Sequence, residues 1–213
     1  PQTAAVFLVN PHNPSGTASA AAAFDAFVRR VSERTLVIMD EAYSEYLDDH
    51  DDRTAARWVR AGANVLVFRT FAKVHGLAAL PMGYAVAPRE WAERLRARGL
   101  GFARGLNRLA LAAASASAGD RSHVAHVRTA VAHERRLWHE TLDRLRLRRM
   151  TSVANFVYFD AGRPHDEVAA WLRAEGVEVG RMFPPYEHWI RITIGLPHEN
   201  VRARAVIEKR LAP

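Results

Sequence analysis

Cysteine is absent from the 213 residues, which excludes disulfides and thiolate metal ligands and by itself says little about compartment. No apolar run approaches the roughly 20 residues needed to span a bilayer, so the chain reads as soluble and globular, without a membrane partner. A concentrated basic patch is missing as well. The net charge of +7 comes from arginines scattered through helical patterns with Glu and Asp between them, as at Arg94, Arg96 and Arg98, and aromatics are not interleaved among them. Nucleic acid is therefore not a partner this pattern indicates. No internal repeat or low-complexity segment stands out beyond Ala-rich helix starts.

Lysine is the most telling scarcity: only Lys73 and Lys209 occur among 30 Lys and Arg residues. Arginine does not lose its proton and does not form an imine, so a lysine kept in an apolar neighbourhood points to an amine used for chemistry. The plain alternative is a surface lysine at a strand end. What surrounds Lys73 along the chain favours the first reading.

At 49% hydrophobic residues the chain can form one good core or two modest ones. Ala4–Val9 is a short apolar run read as a strand buried on both faces, followed by the loop Asn10-Pro11-His12-Asn13-Pro14-Ser15-Gly16. Open α/β sheets place ligands at such carboxyl ends. Ser19 is the expected N-cap of a helix over 20–32, with Phe24, Phe27, Val28 and Val31 on one face. A second buried strand, Leu36–Met39, ends in Asp40-Glu41-Ala42-Tyr43, and residues 48–53 read as a solvated acidic loop. A third strand, Val65–Phe68, delivers Thr70 and Lys73. Gly83–Ala87 is expected as an antiparallel strand, because Leu77–Met82 is too short for a crossover helix. Helical pattern then runs over 89–147 with breaks at 99–105 and at Gly119-Asp120. Strands are expected at Ala154–Phe159, Val177–Val179 and Trp189–Ile194, and helices at Asp166–Glu175 and Glu199–Leu211.

The fold class that follows is α/β: a mostly parallel sheet in a larger domain (1–105), linking helices (106–150) and a small α/β domain (151–213). The polar residues at the strand ends suit pyridoxal phosphate chemistry one by one. Lys73 would form the imine with the cofactor aldehyde. Asp40 at the pyridine nitrogen would keep it protonated, so that the ring accepts electrons from the substrate's α-carbon. Tyr43 and Asn13 could donate to the ring's phenolate oxygen, and a released Lys73 could carry the proton. Arg191 offers a two-pronged donor that serves a carboxylate or a phosphate equally well. With no His or Cys near Asp40 in sequence, no metal is called for.

The motifs Asn10–Thr17, Asp40-Glu41-Ala42-Tyr43, Thr70–Leu77, Ala154–Val157 and Arg191–Gly195 resemble the class I/II, fold-type I aminotransferases, most closely the histidinol-phosphate aminotransferase branch. The resemblance runs the length of the chain in the family's order. It implies a pyridoxal-phosphate-binding large domain, here partial, and a small C-terminal domain. It implies cofactor contacts from Asn13, Asp40, Tyr43, Thr70 and Lys73, with Thr70 at the phosphate. Arg191 would hold the substrate's anionic end, and Arg181 and Asn155 fall where the family has substrate-side residues. Their plainer readings are a domain-surface charge and a strand-start hydrogen bonder.

The resemblance also exposes two departures. The chain starts at Pro1 and runs straight into a strand, so it reads as the C-terminal part of something longer, without the family's upstream phosphate loop, ring-stacking aromatic and N-terminal arm. Pro81 stands where the family has a phosphate-binding arginine, with Arg69 and His75 as the nearest candidates to replace it. The implied activity is transamination between an amino acid or a histidinol-phosphate-like amine and a 2-oxo acid, by a homodimer in the cytoplasm, with the isolated chain inactive. A decarboxylase or lyase on the same scaffold, or a non-catalytic regulatory domain, are the alternatives.

Overall fold

The computed structural model describes residues 2–101 and 105–212. Two compact units divide the chain: Pro1–Pro11 with Ala18–Arg128, and His12–Thr17 with Thr129–Pro213.

The first unit is built on β1 (Ala5–Val9), β2 (Leu36–Asp40), β3 (Val65–Thr70) and β4 (Gly83–Val86), hydrogen-bonded in that order. The first three strands are parallel, and β4 returns antiparallel to β3. Register matters here. Val9 lies beside Asp40, and Asp40 beside Phe68, so the polar residues that follow each apolar run reach one edge of the sheet. Gly83 pairs with Thr70. A Cβ there would stand 2.7 Å from the Arg69 carbonyl oxygen, which is why this tight return needs glycine.

Val37, Met39, Val65 and Val67 are fully buried, and α1 (Ala21–Ser32) lays Phe24 and Val28, one helical turn apart, against them. Each such side chain contributes about 1.5–3 kcal/mol by leaving water. Two details differ from the sequence reading. Phe27 is 38% exposed, because it falls on the flank of the Phe24–Val28 stripe. Ala20, not Ser19, is the N-cap; the Ser19 N–H is donated to the Asn10 side-chain oxygen at 2.9 Å, closing the Pro-rich loop instead.

β1 is also not buried on both faces. In the sheet this chain forms it comes first in order, and its Phe7 is 58% exposed. The acidic stretch is solvated as expected, yet His50–Arg53 winds into a single turn, α2, with Arg53 paired to Asp49 at 2.7 Å. A short helix, α3 (Ala56–Arg60), precedes β3, and α4 (Arg89–Ala97) follows β4. Of the expected break over 99–105, residues 102–104 lie outside the described residues. Asn107 caps α5 (Arg108–Gly119) by accepting from the N–H groups of Leu109 and Ala110, and the break at Gly119-Asp120 separates α5 from α6 (Arg121–Arg144).

In the second unit, β5 (Phe156–Asp160) and β6 (Trp189–Thr193) form an antiparallel pair with Tyr158 opposite Arg191. Alternation sends Val157, Phe159, Ile190 and Ile192 into a core with Trp138 and Leu142 of α6, Leu172 of α7 (His165–Ala174) and Ile207 of α8 (Pro197–Leu211). Phe156, Tyr158 and Arg191 occupy the opposite face. The strand expected at Val177–Val179 does not form. Both valines are partly buried against the core, and their alternation answers to side-chain packing without a backbone ladder. Among the described residues no helix is long and apolar enough to cross a membrane.

Candidate active site

Asp40 closes β2, and its Oδ1 accepts the Ala42 N–H at 2.9 Å, which turns the chain and fixes the carboxylate. Its backbone carbonyl accepts the Asn10 N–H at 3.0 Å, tying the first loop to the second strand end. Tyr43 follows, buried, at the head of the 3-10 turn Ser44–Tyr46. Past β3, the Gly76 N–H is donated to the Lys73 carbonyl at 2.9 Å and the Leu77 N–H to Phe71 at 2.9 Å. Gly76 has a φ of +73°, the left-handed conformation this tight turn requires. The turn carries Lys73 to a position where its Nζ lies 5.5 Å from the centre of the Tyr43 ring. Thr70 accepts the Ala72 N–H at 3.0 Å and donates to the Met82 carbonyl at 3.3 Å. Asp40, Tyr43, Thr70 and Lys73 thus belong to one unit and one sheet edge, with the amine beside the phenol ring.

Behind this edge stands a group that motif reading passed over. Glu41 is 2% exposed, and alternation turns it away from Asp40. It accepts from Thr54 Oγ1 at 2.8 Å, from the Ala55 N–H at 2.6 Å, and from Arg69 Nε and Nη2 at 3.0 and 2.9 Å. Burial acts to lower the Arg69 pKa, but the Glu41 carboxylate and the Tyr84 hydroxyl more than offset it, so the pKa is raised and the guanidinium stays charged. Its adjacency to Asp40 is the one clue the sequence offers: two carboxylates in succession after a buried strand cannot both face the same side.

This pairing corrects the idea of Arg69 as a stand-in for the cation missing at Pro81. Arg69 is committed to Glu41 and Thr54. His75, the other candidate, is held by Ser117 and Glu45.

The second unit holds the remaining candidates. Asn13 and Arg191, far apart in sequence, meet: Arg191 Nη1 donates to Asn13 Oδ1 at 3.0 Å. The guanidinium carbon lies 5.0 Å from the Phe156 ring centre and 5.5 Å from that of Phe183, while Nε is buried without a hydrogen-bond partner. One prong of the fork expected to be open is therefore already used inside the protein. Arg181 is exposed, stacks on Phe183 at 4.6 Å and donates to the Met182 carbonyl. Asn155 precedes β5, and its backbone carbonyl accepts the Ile194 N–H at 2.9 Å. Gly16, at a φ of +71°, packs so closely on Ser152 that a Cβ would collide with it, and its carbonyl accepts the Val153 N–H at 2.8 Å. The Asn13 loop is thereby fastened to the segment leading into β5.

Chemically, the first unit presents an amine, a phenol, a carboxylate and a hydroxyl; the second presents an amide and a guanidinium. The family described as aminotransferase class I and II matches residues 1–206. Histidinol-phosphate aminotransferase 1 of Cupriavidus pinatubonensis is 39% identical over 215 residues, covering 98% of this chain and 56% of its own length. The crystal structure of histidinol-phosphate aminotransferase from Sinorhizobium meliloti in complex with pyridoxal-5'-phosphate superposes with a TM-score of 0.83 at 27% identity, covering 96% of this chain and 57% of that one. A decarboxylase from Sulfurospirillum multivorans shares the fold, with a TM-score of 0.83 at 20% identity over 97% of this chain and 61% of its own. The chain spans about half the length of the curated relatives it matches. It belongs to the class I and II aminotransferase family.

Proposed function

We propose that the protein is a pyridoxal-phosphate-dependent transaminase that moves an amino group between an amino acid or a histidinol-phosphate-like amine and a 2-oxo acid, acting as a homodimer in the cytoplasm. The observation that carries this reading is the Lys73 amine beside the Tyr43 ring, on the sheet edge where Asp40 and Thr70 also end. The donor set fits the cofactor. An amine suits its aldehyde, a carboxylate its pyridinium nitrogen, a phenol its ring oxygen and a hydroxyl its phosphate.

When bound, pyridoxal phosphate supplies an electron sink that stabilises negative charge at the substrate's α-carbon. Lys73 would hold the cofactor through its amine and would be the group that carries a proton to and from the reacting carbon. Asp40, fixed by Ala42, keeps the pyridine nitrogen protonated. Tyr43 would donate to the ring oxygen, and the family resemblance gives Asn13 the same role; the Asn13 amide accepts from Arg191 through its oxygen, which leaves its NH2 group free to donate. Thr70 would contact the phosphate through its hydroxyl, whose bond to the Met82 carbonyl is long at 3.3 Å. Arg191 would hold the anionic end of the substrate, with Arg181 and Asn155 as the further substrate-side residues the resemblance implies. The names of the relatives support a transaminase reading.

The test is an absorbance spectrum of the intact protein with pyridoxal phosphate, followed by a scan of amino donors including histidinol phosphate. A visible band that an amino donor converts, with 2-oxo product formed, is the expected result. Release of carbon dioxide in place of that product would assign a decarboxylase, and no spectral response to any donor would remove the enzymatic reading.

A further inference from the structure

His75, two residues past Lys73, is held on both ring nitrogens. Nδ1 lies 2.8 Å from Ser117 Oγ on α5, and Nε2 lies 3.2 Å from Glu45 Oε1 in the 3-10 turn that follows Tyr43. The side chain is 8% exposed, and its ring packs 4.8 Å from the Phe71 ring. One imidazole therefore ties three segments of the first unit together: the turn bearing Lys73, the turn bearing Tyr43 and the last turn of α5. Two protonation states satisfy the bond to Glu45. The neutral ring donates its Nε2–H there and accepts the Ser117 hydroxyl at Nδ1, and the charged ring donates at both ends.

We infer that His75 is a positioning residue that fixes the Lys73 amine against the Tyr43 ring, with Glu45 as its anchor and Ser117 as its orienting partner. Lysine has four rotatable side-chain bonds, so its amine is placed reproducibly only if the backbone beneath it is held. The turn's own backbone bonds, from Gly76 to Lys73, from Leu77 to Phe71 and from Phe71 to Met82, stay local to β3 and β4 and do not reach the Tyr43 segment. Nothing crowds Gly76 on the side where a Cβ would stand. The His75–Glu45 bond joins the two turns side chain to side chain, behind the 5.5 Å approach of Lys73 to Tyr43. Serine, histidine and a carboxylate in a row also occur as a nucleophilic set. Here Ser117 sits in the last turn of α5, an end that presents carbonyls rather than the N–H donors a developing oxyanion needs.

The inference rests on the roles proposed above for Lys73 and Tyr43. Its test compares the intact, pyridoxal-phosphate-loaded wild type with His75→Phe, Glu45→Ala and Ser117→Ala. The measurements are the visible circular-dichroism band of the bound cofactor, the single-turnover rate at saturating amino donor, the donor concentration for half-maximal rate, and thermal stability. His75→Phe and Glu45→Ala are expected to alter the dichroic band and slow turnover by about tenfold to a hundredfold, the scale of a roughly 1 Å misplacement. Half-saturation should stay within about twofold on this account, since the substrate-side residues are untouched. Ser117→Ala should shift rate and band in the same direction by less. His75→Gln, whose amide can still reach Glu45, should recover part of the rate. A wild-type band and rate in Glu45→Ala, including the case where His75→Phe fails to fold, would overturn the inference. If the wild type itself shows no cofactor band, the proposed function fails first, and the two failures are thereby told apart.

Discussion

Asp40 and Glu41 are adjacent carboxylates with opposite surroundings. Glu41 is sealed into four hydrogen bonds, and Asp40 has its Oδ1 tied to Ala42 at the functional edge. Replacing Asp40 with Ala should leave cofactor binding measurable and cut turnover by about two orders of magnitude or more, because the protonated ring nitrogen loses its partner. Steady-state kinetics and a pyridoxal phosphate titration check this together; near-normal turnover would contradict the role. His139 on α6 makes a second prediction. Burial, with Arg149 and Arg135 beside it, lowers its pKa from 6.5 to about 4, and its Nε2 is buried without a partner. Between those values the unfolded chain binds a proton that the folded chain refuses, so stability present above pH 6.5 is lost as pH falls towards 4. The ring is only half-buried, so solvent screening reduces the effect to on the order of 1 kcal/mol. Urea midpoints at pH 7 and 4.5 should lie closer together for His139→Gln than for wild type, since the variant lacks this pH-dependent loss. At this scale Asp40, Tyr43 and Lys73 were legible because each follows an apolar run that ends abruptly. The Asn13–Arg191 bond was not, since it joins residues 178 apart, and no local pattern records which loop meets which strand.

Strands and helices were legible wherever periodicity and a breaker agreed, as at the antiparallel return of β4 and the break between α5 and α6. They were misread where a neighbour decides. Val177–Val179 alternates like a strand but has no ladder. The Glu41–Arg69 pair is an element-scale feature because it locks the end of β2 to the end of β3 and to Thr54, just ahead of α3. Glu41→Ala should lower the stability of the protein by about 3–5 kcal/mol, since Arg69 would be left largely buried without its counter-charge. Chemical denaturation measures this directly. A loss below about 1 kcal/mol, the scale of an exposed pair, would show that the clamp is dispensable.

For the molecule as a whole, family membership rests on a match to residues 1–206, and the catalytic reading rests on one amine. Lysine scarcity makes that amine unusually easy to test. Lys209, the other lysine of this sequence, lies exposed in the last turn of α8, far along the chain from Asp40, Tyr43 and Thr70. The direct measurement is borohydride reduction of the intact protein loaded with pyridoxal phosphate, followed by peptide mapping. The account predicts a stable cofactor label on the peptide containing Lys73. A label on Lys209 alone, or no label on a protein that still transaminates, would contradict it.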